Sequence, residues 1–197
     1  MRTHLRPALV VLLLLTALTG FTYPMAMTGL ATLFFRRAAR GSLIIGAHGV
    51  PRGSTLIAQP FTGAGYFQPR ASAAATDASV SGGTNLGPTN PALADSLMAR
   101  AARLRTEAPE LASTPIPADL LTASASGLDP DLSPEAAHWQ AWRVARARAL
   151  PNELVDSLVA AHIEGRLWGL FGEPRVNVLL LDLALDSVSA AQHPDAR

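Results

Sequence analysis

The pattern of hydrophobic and polar positions divides the chain into one long uncharged stretch and a remainder in which apolar residues recur at short intervals. Residues 8–35 contain no charged side chain, and no later segment matches this length. At about 1.5 Å per residue, a helix of this length reaches roughly 42 Å, enough to cross a hydrocarbon core of about 30 Å. We therefore predict a transmembrane helix over residues 8–35, disturbed at Tyr23 and Pro24 because proline lacks a backbone N–H.

A cleaved signal peptide is the alternative interpretation of this stretch. Its apolar core would be about 7–15 residues long and would end in small residues, whereas this run is about twice that length. The run also ends in the bulky residues Leu33, Phe34 and Phe35, which favours an uncleaved anchor. Arginines flank the stretch in nearly equal number on both sides, so the positive-inside rule does not orient it.

Four segments beyond residue 40 are predicted to be strands. They are short apolar runs bounded by glycine, proline or small polar residues. The last of them is almost entirely apolar, which is typical of a central strand buried on both faces. The four segments are residues 43–45, 55–58, 122–126 and 176–183.

Helices are predicted where a capping residue precedes apolar positions spaced three or four apart. Asn90 marks the start of a helix to about Glu107, and Ser133 marks a second helix to about Ala149, each followed by proline at the first helical position. Pro151 opens a third helix. The fold class is therefore α+β: one N-terminal transmembrane helix, followed by a single domain with a small β-sheet covered by three or four helices.

These elements give a simple domain organisation. A short N-terminus over residues 1–7 precedes the transmembrane helix over 8–35, and the α+β domain covers 41–190. Residues 191–197 are predicted to be a disordered tail. Within the domain, residues 71–91 form a long loop rich in Ser, Thr, Gly, Asn and Pro.

Charge and composition exclude several function classes. From residue 41 onward, eleven arginines face fifteen acidic residues, a net charge of −4, which is unfavourable for nucleic-acid binding. The chain has no lysine, so neither a phosphate-binding loop of the G-x-x-x-x-G-K-[ST] type nor a Schiff-base lysine can exist. It has no cysteine, which excludes disulfides and a lipoprotein anchor.

Candidate chemistry is sparse, and we predict no metal site and no catalytic residue. His48, His138 and His162 lack the spacing of a metal-binding motif. Ser124 and Ser126 lie among small residues outside a G-x-S-x-G motif, which favours close backbone packing over nucleophilic catalysis.

Asp129 and Asp131 flank Pro130, and this combination favours a turn over a cation or partner contact.

The segment Ser81, Gly82, Gly83, Thr84 and Asn85 could offer backbone N–H groups to an anion, although this is also ordinary loop composition.

Gln140 is a polar residue on the apolar stripe of the second predicted helix. A buried amide must find hydrogen-bond partners. The neighbouring backbone is the favoured partner, and a ligand or another subunit is the alternative.

Seven strings follow one another along the chain: GSTLIAQPF (53–61), YFQPRAS (66–72), SGGTNL (81–86), TNP (89–91), LTASASGLD (121–129), SPEAA (133–137) and GEPRVNVL (172–179). Taken in this order, they resemble the C subunit of the Kdp-type potassium-transporting P-type ATPase, and the match runs from Arg6 to about Asp186. No single string is decisive, but the ordered set is specific. Two positions depart from the family pattern: residues 68–72 read QPRAS where Gly-Arg-Pro-Ser is usual, and Asp182 stands where Asn is common.

The resemblance implies a noncatalytic subunit of a high-affinity, ATP-driven potassium uptake pump, needed for assembly and stabilisation of the complex. The implied partners are a channel-like potassium-binding subunit, a P-type subunit that hydrolyses ATP, a small single-span subunit and membrane lipid, with no nucleic acid. The implied location is the inner cell membrane, single-pass, with the N-terminus cytoplasmic and the domain extracytoplasmic.

The family is also described as a catalytic chaperone that raises the ATP affinity of the P-type subunit, with Gln140 in the position of the proposed nucleotide contact. No cofactor is expected to bind tightly. ATP is bound in the cytoplasm, however, so a domain on the outer side could not touch it. The alternative is a domain that caps or filters the potassium entrance without nucleotide contact, and topology distinguishes the two.

The residues matching the family strings are expected to make partner or structural contacts. They are Tyr66, Phe67, Arg70, Ser81, Gly82, Gly83, Asn85, Ser124, Ser126, Asp129 and Asn177.

Overall fold

The computed structural model describes residues 2–46 and 49–192 and divides the chain into two compact units, Met1–Arg52 and Gly53–Arg197. Predictions for His48 and for residues 193–197 lie outside the described residues. The fold is α+β as predicted, with one N-terminal apolar helix followed by helices and small antiparallel sheets.

The first unit consists mainly of one long helical segment. Helix α1 (Arg2–Ala17) passes through a π-helical turn (Leu18–Thr22) into α2 (Tyr23–Phe34), and a short helix α3 (Arg36–Ala39) follows. Nearly all side chains of the long segment are exposed, and His4–Phe34 is long and apolar enough to cross a membrane.

The helix was predicted to be disturbed at Tyr23 and Pro24, and the structure has a π-helical turn directly before them. Proline has no N–H to donate into the helix, and the preceding Tyr23 N–H donates to the Leu18 carbonyl, five residues back. Threonine hydroxyls supply additional donors: Thr19 Oγ1 donates to the Leu15 carbonyl at 2.7 Å, and Thr22 Oγ1 donates to the Ala17 carbonyl at 3.3 Å. Such hydroxyl bonds make proline tolerable in an apolar helix.

The first predicted strand is confirmed as β1 (Leu43–Ile45), which pairs with β2 (Pro51–Ser54). The strand predicted over residues 55–58 is wrong, because β2 ends at Ser54 and residues 55–57 turn. The Ser54 hydroxyl accepts from the Leu56 N–H at 3.1 Å, a local bond that favours the turn.

The capped helices of the second unit agree with prediction. Helix α4 (Pro91–Glu107) has the Asn90 side chain accepting from the Ala92 N–H, and α6 (Pro134–Arg148) has the Ser133 side chain accepting from the Ala136 N–H. Helix α7 (Asn152–Ala161) follows Pro151. A short helix, α5 (Ala118–Leu121), lies between α4 and α6.

The central sheet of the second unit has three short antiparallel strands in the order β3-β5-β4. Strand β3 (Asp131–Leu132) and strand β4 (Ile163–Glu164) flank β5 (Arg175–Asn177). The strand predicted over 122–126 is wrong, since only Ala123 forms an isolated bridge, to Ala71.

The strand predicted over residues 176–183 is also wrong beyond Asn177. Helix α8 (Val178–Gln192) begins there and also covers the first residues of the predicted tail. A continuous apolar run does not distinguish a buried strand from a buried helix. The Asn177 side chain accepts from the Leu180 N–H at 3.2 Å and so caps the helix, a signal that the apolar pattern concealed.

The core of the second unit lies between the sheet and its helices. Helices α6 and α8 pack on β5, and α7 packs on both α6 and α8. Phe67, Val144, Val159, Val176 and Leu181 are fully buried there. The loop that carries Phe67 therefore belongs to the core rather than to the surface.

Candidate functional site

A short segment of irregular backbone, residues 64–68, is held by side chains of α6 and α8. We call it the clamped segment. Its backbone polar groups bond to four side chains far away in sequence, Gln140, Arg143, Arg148 and Asp182. Buried backbone outside regular structure needs such partners, because an unpaired N–H or C=O group there is costly.

Gln140 lies at the centre of these contacts and is only 1% exposed. Its Oε1 accepts from the Gln68 N–H at 2.9 Å, and its Nε2 donates to the Gln68 carbonyl at 3.0 Å. Arg143, one helical turn further on, donates to the same Oε1 at 2.7 Å. The favoured interpretation, a hydrogen bond to neighbouring backbone, agrees with this geometry.

Arg143 is 6% exposed and binds the clamped segment directly. Its Nη1 donates to the Ala64 carbonyl at 2.5 Å and its Nη2 to the Tyr66 carbonyl at 3.0 Å. Burial lowers the pKa of its guanidinium. An open cavity of about 220 Å³ lies beside it, lined by Thr62, Ala64, Gln68 and Glu107.

Arg148 and the ring of Phe61 also contact the clamped segment, at Gly65 and Tyr66. The Arg148 Nε donates to the Gly65 carbonyl at 2.6 Å, and its guanidinium carbon lies 4.5 Å from the centre of the Tyr66 ring. The Tyr66 ring also stacks on Phe61, with 5.5 Å between ring centres.

Asp182 is 1% exposed in α8. Its Oδ1 accepts from the Phe67 N–H at 2.9 Å. Burial raises the pKa of this carboxyl to about 8, because the Phe67 hydrogen bond and the nearby Arg148 offset only part of the cost of desolvation. The side chain is therefore mostly protonated at neutral pH.

A second group of predicted residues surrounds Arg70. Its Nη1 pairs with Asp129 Oδ2 at 3.1 Å, and its Nη2 donates to Thr122 Oγ1 at 3.2 Å and to the Ala123 carbonyl at 3.4 Å. The Asp131 N–H donates to Asp129 Oδ1 at 3.2 Å, a local side-chain bond of the kind that favours turns, and Asp131 begins strand β3.

The predicted glycine-rich loop packs against residues 124–127. The Gly82 N–H donates to the Ser126 carbonyl at 2.8 Å, and Ser81 Oγ donates to the same carbonyl at 3.2 Å. A Cβ atom at Gly83 would lie 2.8 Å from the Ala125 carbonyl oxygen. Close approach of two backbones therefore accounts for Gly83, and the Gly82 N–H donor is already engaged.

The remaining small polar residues also serve this packing. Ser124 is buried and accepts through Oγ from the Gly127 N–H at 3.1 Å, and Ser126 Oγ accepts from the Leu128 N–H at 3.1 Å. Asn85 adopts a positive φ of 53°.

Asn177 forms a third contact point at the end of β5. Its Nδ2 donates to the Thr55 carbonyl at 3.0 Å and to Asp131 Oδ1 at 3.1 Å. Burial raises the pKa of Asp131, while this hydrogen bond and Arg175 act in the opposite direction.

Within residues 2–46 and 49–192, no group of three or more His, Cys, Asp or Glu side chains could hold a metal ion. His138 pairs with Asp156 at 2.8 Å, and His162 Nδ1 lies 2.8 Å from the Leu158 carbonyl.

The structure thus brings Tyr66, Phe67 and Gln140 together. Separately, it pairs Arg70 with Asp129 and places Ser81 and Gly82 against Ser126. Sequence reasoning missed Arg143 and Arg148, and it named Asp182 without assigning it a contact. The spacing of Arg143, three residues after Gln140 on one helix face, was the available signal.

One apolar helix of membrane-spanning length followed by a small α+β unit is the architecture of a single-anchor membrane protein. Residues 5–187 match the family described as K+-transporting ATPase, c chain (KdpC), and the chain therefore belongs to this family. Three similar relatives bear the name potassium-transporting ATPase KdpC subunit.

The relative from Variovorax paradoxus is 54% identical over 195 residues, covering 98% of this chain and 100% of the relative. Those from Bradyrhizobium diazoefficiens and Dechloromonas aromatica are 51% and 53% identical, each covering 96% of this chain and 100% of the relative.

Proposed function

We propose that this chain is a noncatalytic, membrane-anchored subunit of a potassium-transporting ATPase, and that it stabilises the assembled complex. Membership of the c-chain family supports this role, as does the apolar helix of membrane-spanning length. The accompanying α+β unit has an extracytoplasmic position in this proposal, with the N-terminus cytoplasmic. Its partners are the potassium-binding and ATP-hydrolysing subunits and a small single-span subunit.

The geometry of Gln140 carries the choice between an assembly role and a nucleotide-contacting role. Its Oε1 accepts two hydrogen bonds, and its Nε2 donates to the clamped segment. A side chain engaged in this way and 1% exposed would have to break these bonds to reach ATP. Its role in the proposal is therefore to position residues 64–68 for subunit contacts, with no direct bond to nucleotide.

The test is Gln140→Ala in the complete complex, with Glu135→Gln as a control on an exposed position of the same helix. The substitution leaves the backbone N–H and carbonyl of Gln68 without their side-chain partner and removes one of the three hydrogen bonds of Arg143. A buried polar group left unpaired costs about 1–3 kcal/mol. We expect less assembled complex, and an unchanged KM for ATP in the complex that does form. Normal assembly with a raised KM for ATP would favour the catalytic chaperone instead.

The extracytoplasmic position has its own test, because the chain contains no cysteine. An impermeant thiol reagent should label Ala94→Cys in intact cells, and His4→Cys only after permeabilisation; both positions are exposed. The opposite pattern would place the domain with the nucleotide. Outer placement would bring a net charge of −4 near entering cations, which supports the alternative of a domain that caps or filters the potassium entrance.

A further inference from the structure

The loop between β4 and β5 folds into a small hairpin whose tip is apolar. We call residues 167–171 the apolar arm. The Leu167 N–H donates to the Phe171 carbonyl at 2.8 Å and the Phe171 N–H donates to the Leu167 carbonyl at 3.0 Å, while Gly169 and Leu170 donate to carbonyls of the same turn. The arm therefore has a defined shape, and four of its backbone donors are satisfied within the hairpin.

The four large side chains of the apolar arm face solvent. Trp168 is 82% exposed, Leu170 74%, and Leu167 and Phe171 61% each. Taking about 150–250 Å² for a large aromatic side chain and less for leucine, they present on the order of 500 Å² of apolar surface. Exposed patches of this size on soluble domains commonly mark interaction sites.

The backbone at Trp168 strengthens this argument. Its φ of 53° is unusual for a bulky residue. Trp168 also makes an edge contact with Phe171, with 6.3 Å between ring centres. A turn that holds a tryptophan in water at an unfavourable φ gives the isolated chain little benefit, which suggests that the ring is covered in another state.

The charges at the base of the arm distinguish a protein partner from a lipid surface. Arg166 pairs with Glu173 at 2.6 Å, and Arg175 pairs with Glu164 at 2.8 Å. Arg175 also pairs with Asp131 at 3.1 Å, so both arginines at the base of the arm are already paired with carboxylates. A loop drawn to anionic lipid, in contrast, gains its electrostatic attraction from unpaired cations. An aromatic centre within a polar rim is the usual anatomy of a protein interface.

The size of the surface excludes a stable dimer formed through the arm alone. A standard interface buries about 800 Å² on each partner, more than the arm offers. The arm is large enough for one contact among several in an assembly that other surfaces of the subunits also stabilise. An arm with satisfied backbone donors can enter a dry pocket without leaving those groups unpaired.

We propose that the apolar arm inserts into an uncharged, concave apolar pocket on another subunit of the ATPase, with Trp168 as its anchor. This inference rests on the proposed assembly role and names one surface that performs it.

The test is retention of this chain on the detergent-solubilised complex, purified through a tag on another subunit. The variant combines Trp168→Ala with Leu170→Ser, and Met98→Ser is the control, because Met98 is 62% exposed on α4. We expect the arm variant to lose retention by about tenfold or more, as when an aromatic anchor is truncated, and the control to behave as wild type. The thermal unfolding midpoint of the full chain alone should be unchanged, which separates lost binding from misfolding.

Two results would overturn the proposal. One is that the arm variant is retained on the complex as well as the wild-type chain is. If the wild-type chain itself failed to copurify, the result would instead count against the proposed assembly role. The other is quenching of Trp168 by brominated lipid in vesicles containing the full chain alone, with Trp168→Phe as the reference, which would assign the arm to the membrane.

Discussion

Asp182 should make the stability of the chain depend on pH in a direction opposite to that of most carboxyl groups. Its pKa is about 8 in the folded state and 3.8 when unperturbed, so the folded chain binds more protons between these values. Stability from this group is therefore fully present below about pH 4 and is lost as pH rises towards 8. The slope approaches about 1.4 kcal/mol per pH unit, or about 3 kcal/mol between pH 5 and pH 7.

Asp182→Asn should remove this dependence. The amide oxygen can still accept from the Phe67 N–H, but the side chain cannot ionise. The free energy of unfolding would be measured by urea titration of the full chain in detergent at pH 5, 6 and 7, following tryptophan fluorescence. Other ionisable groups are common to both proteins, so the difference between the two pH profiles isolates position 182.

Asp186→Asn is the matched control, because Asp186 lies on the same helix, is 40% exposed and pairs with Arg148 at 2.7 Å. Its loss should shift stability by about 0–1 kcal/mol and leave the slope from Asp182 in place. If Asp182→Asn kept the wild-type slope, the carboxyl would be ionised in the fold and the reasoning from its burial would fail.

Two further substitutions test the packing around the predicted site. Gly83→Ala should destabilise the chain by about 1–3 kcal/mol, because the added Cβ would meet the Ala125 carbonyl. Gly82→Ala is the control: its Cβ would lie in open space, so it should be nearly neutral. Equal effects of the two substitutions in thermal unfolding would contradict the close approach of the backbones. Asn177→Ala removes three hydrogen bonds, including the cap of α8, and should lower the free energy of unfolding by about 2–4 kcal/mol. The control Asn152→Ala changes an exposed residue and should lower it by only about a few tenths of a kcal/mol. A similarly small loss of stability in both variants would show that the cap contributes little.

The sequence predicted those elements whose signals are local. Helices α4 and α6 began where Asn90 and Ser133 indicated, because a cap side chain and a following proline act within one turn. The strand predicted over residues 176–183 failed because burial on all sides produces a continuous apolar run in either a strand or a helix.

The candidate site was predictable only in part, because its bonds span long separations. The stripe of α6 placed Gln140 in the core, but nothing in the pattern identified its partner Gln68, which lies 72 residues away. The bond from Phe67 to Asp182 spans 115 residues. Such pairings arise from the way the loop folds onto α6 and α8, which periodicity does not encode.

The π-helical turn at Leu18–Thr22 has a consequence for how the apolar helix meets its neighbours. In an α-helix each residue advances by about 100°, so one extra residue in a turn rotates everything beyond it by about that angle. A stripe that follows one face through α1 therefore continues on a different face of α2. The side that α1 presents to a neighbouring helix is therefore not the side that α2 presents, and deleting one residue from the turn would bring the two stripes back onto one face.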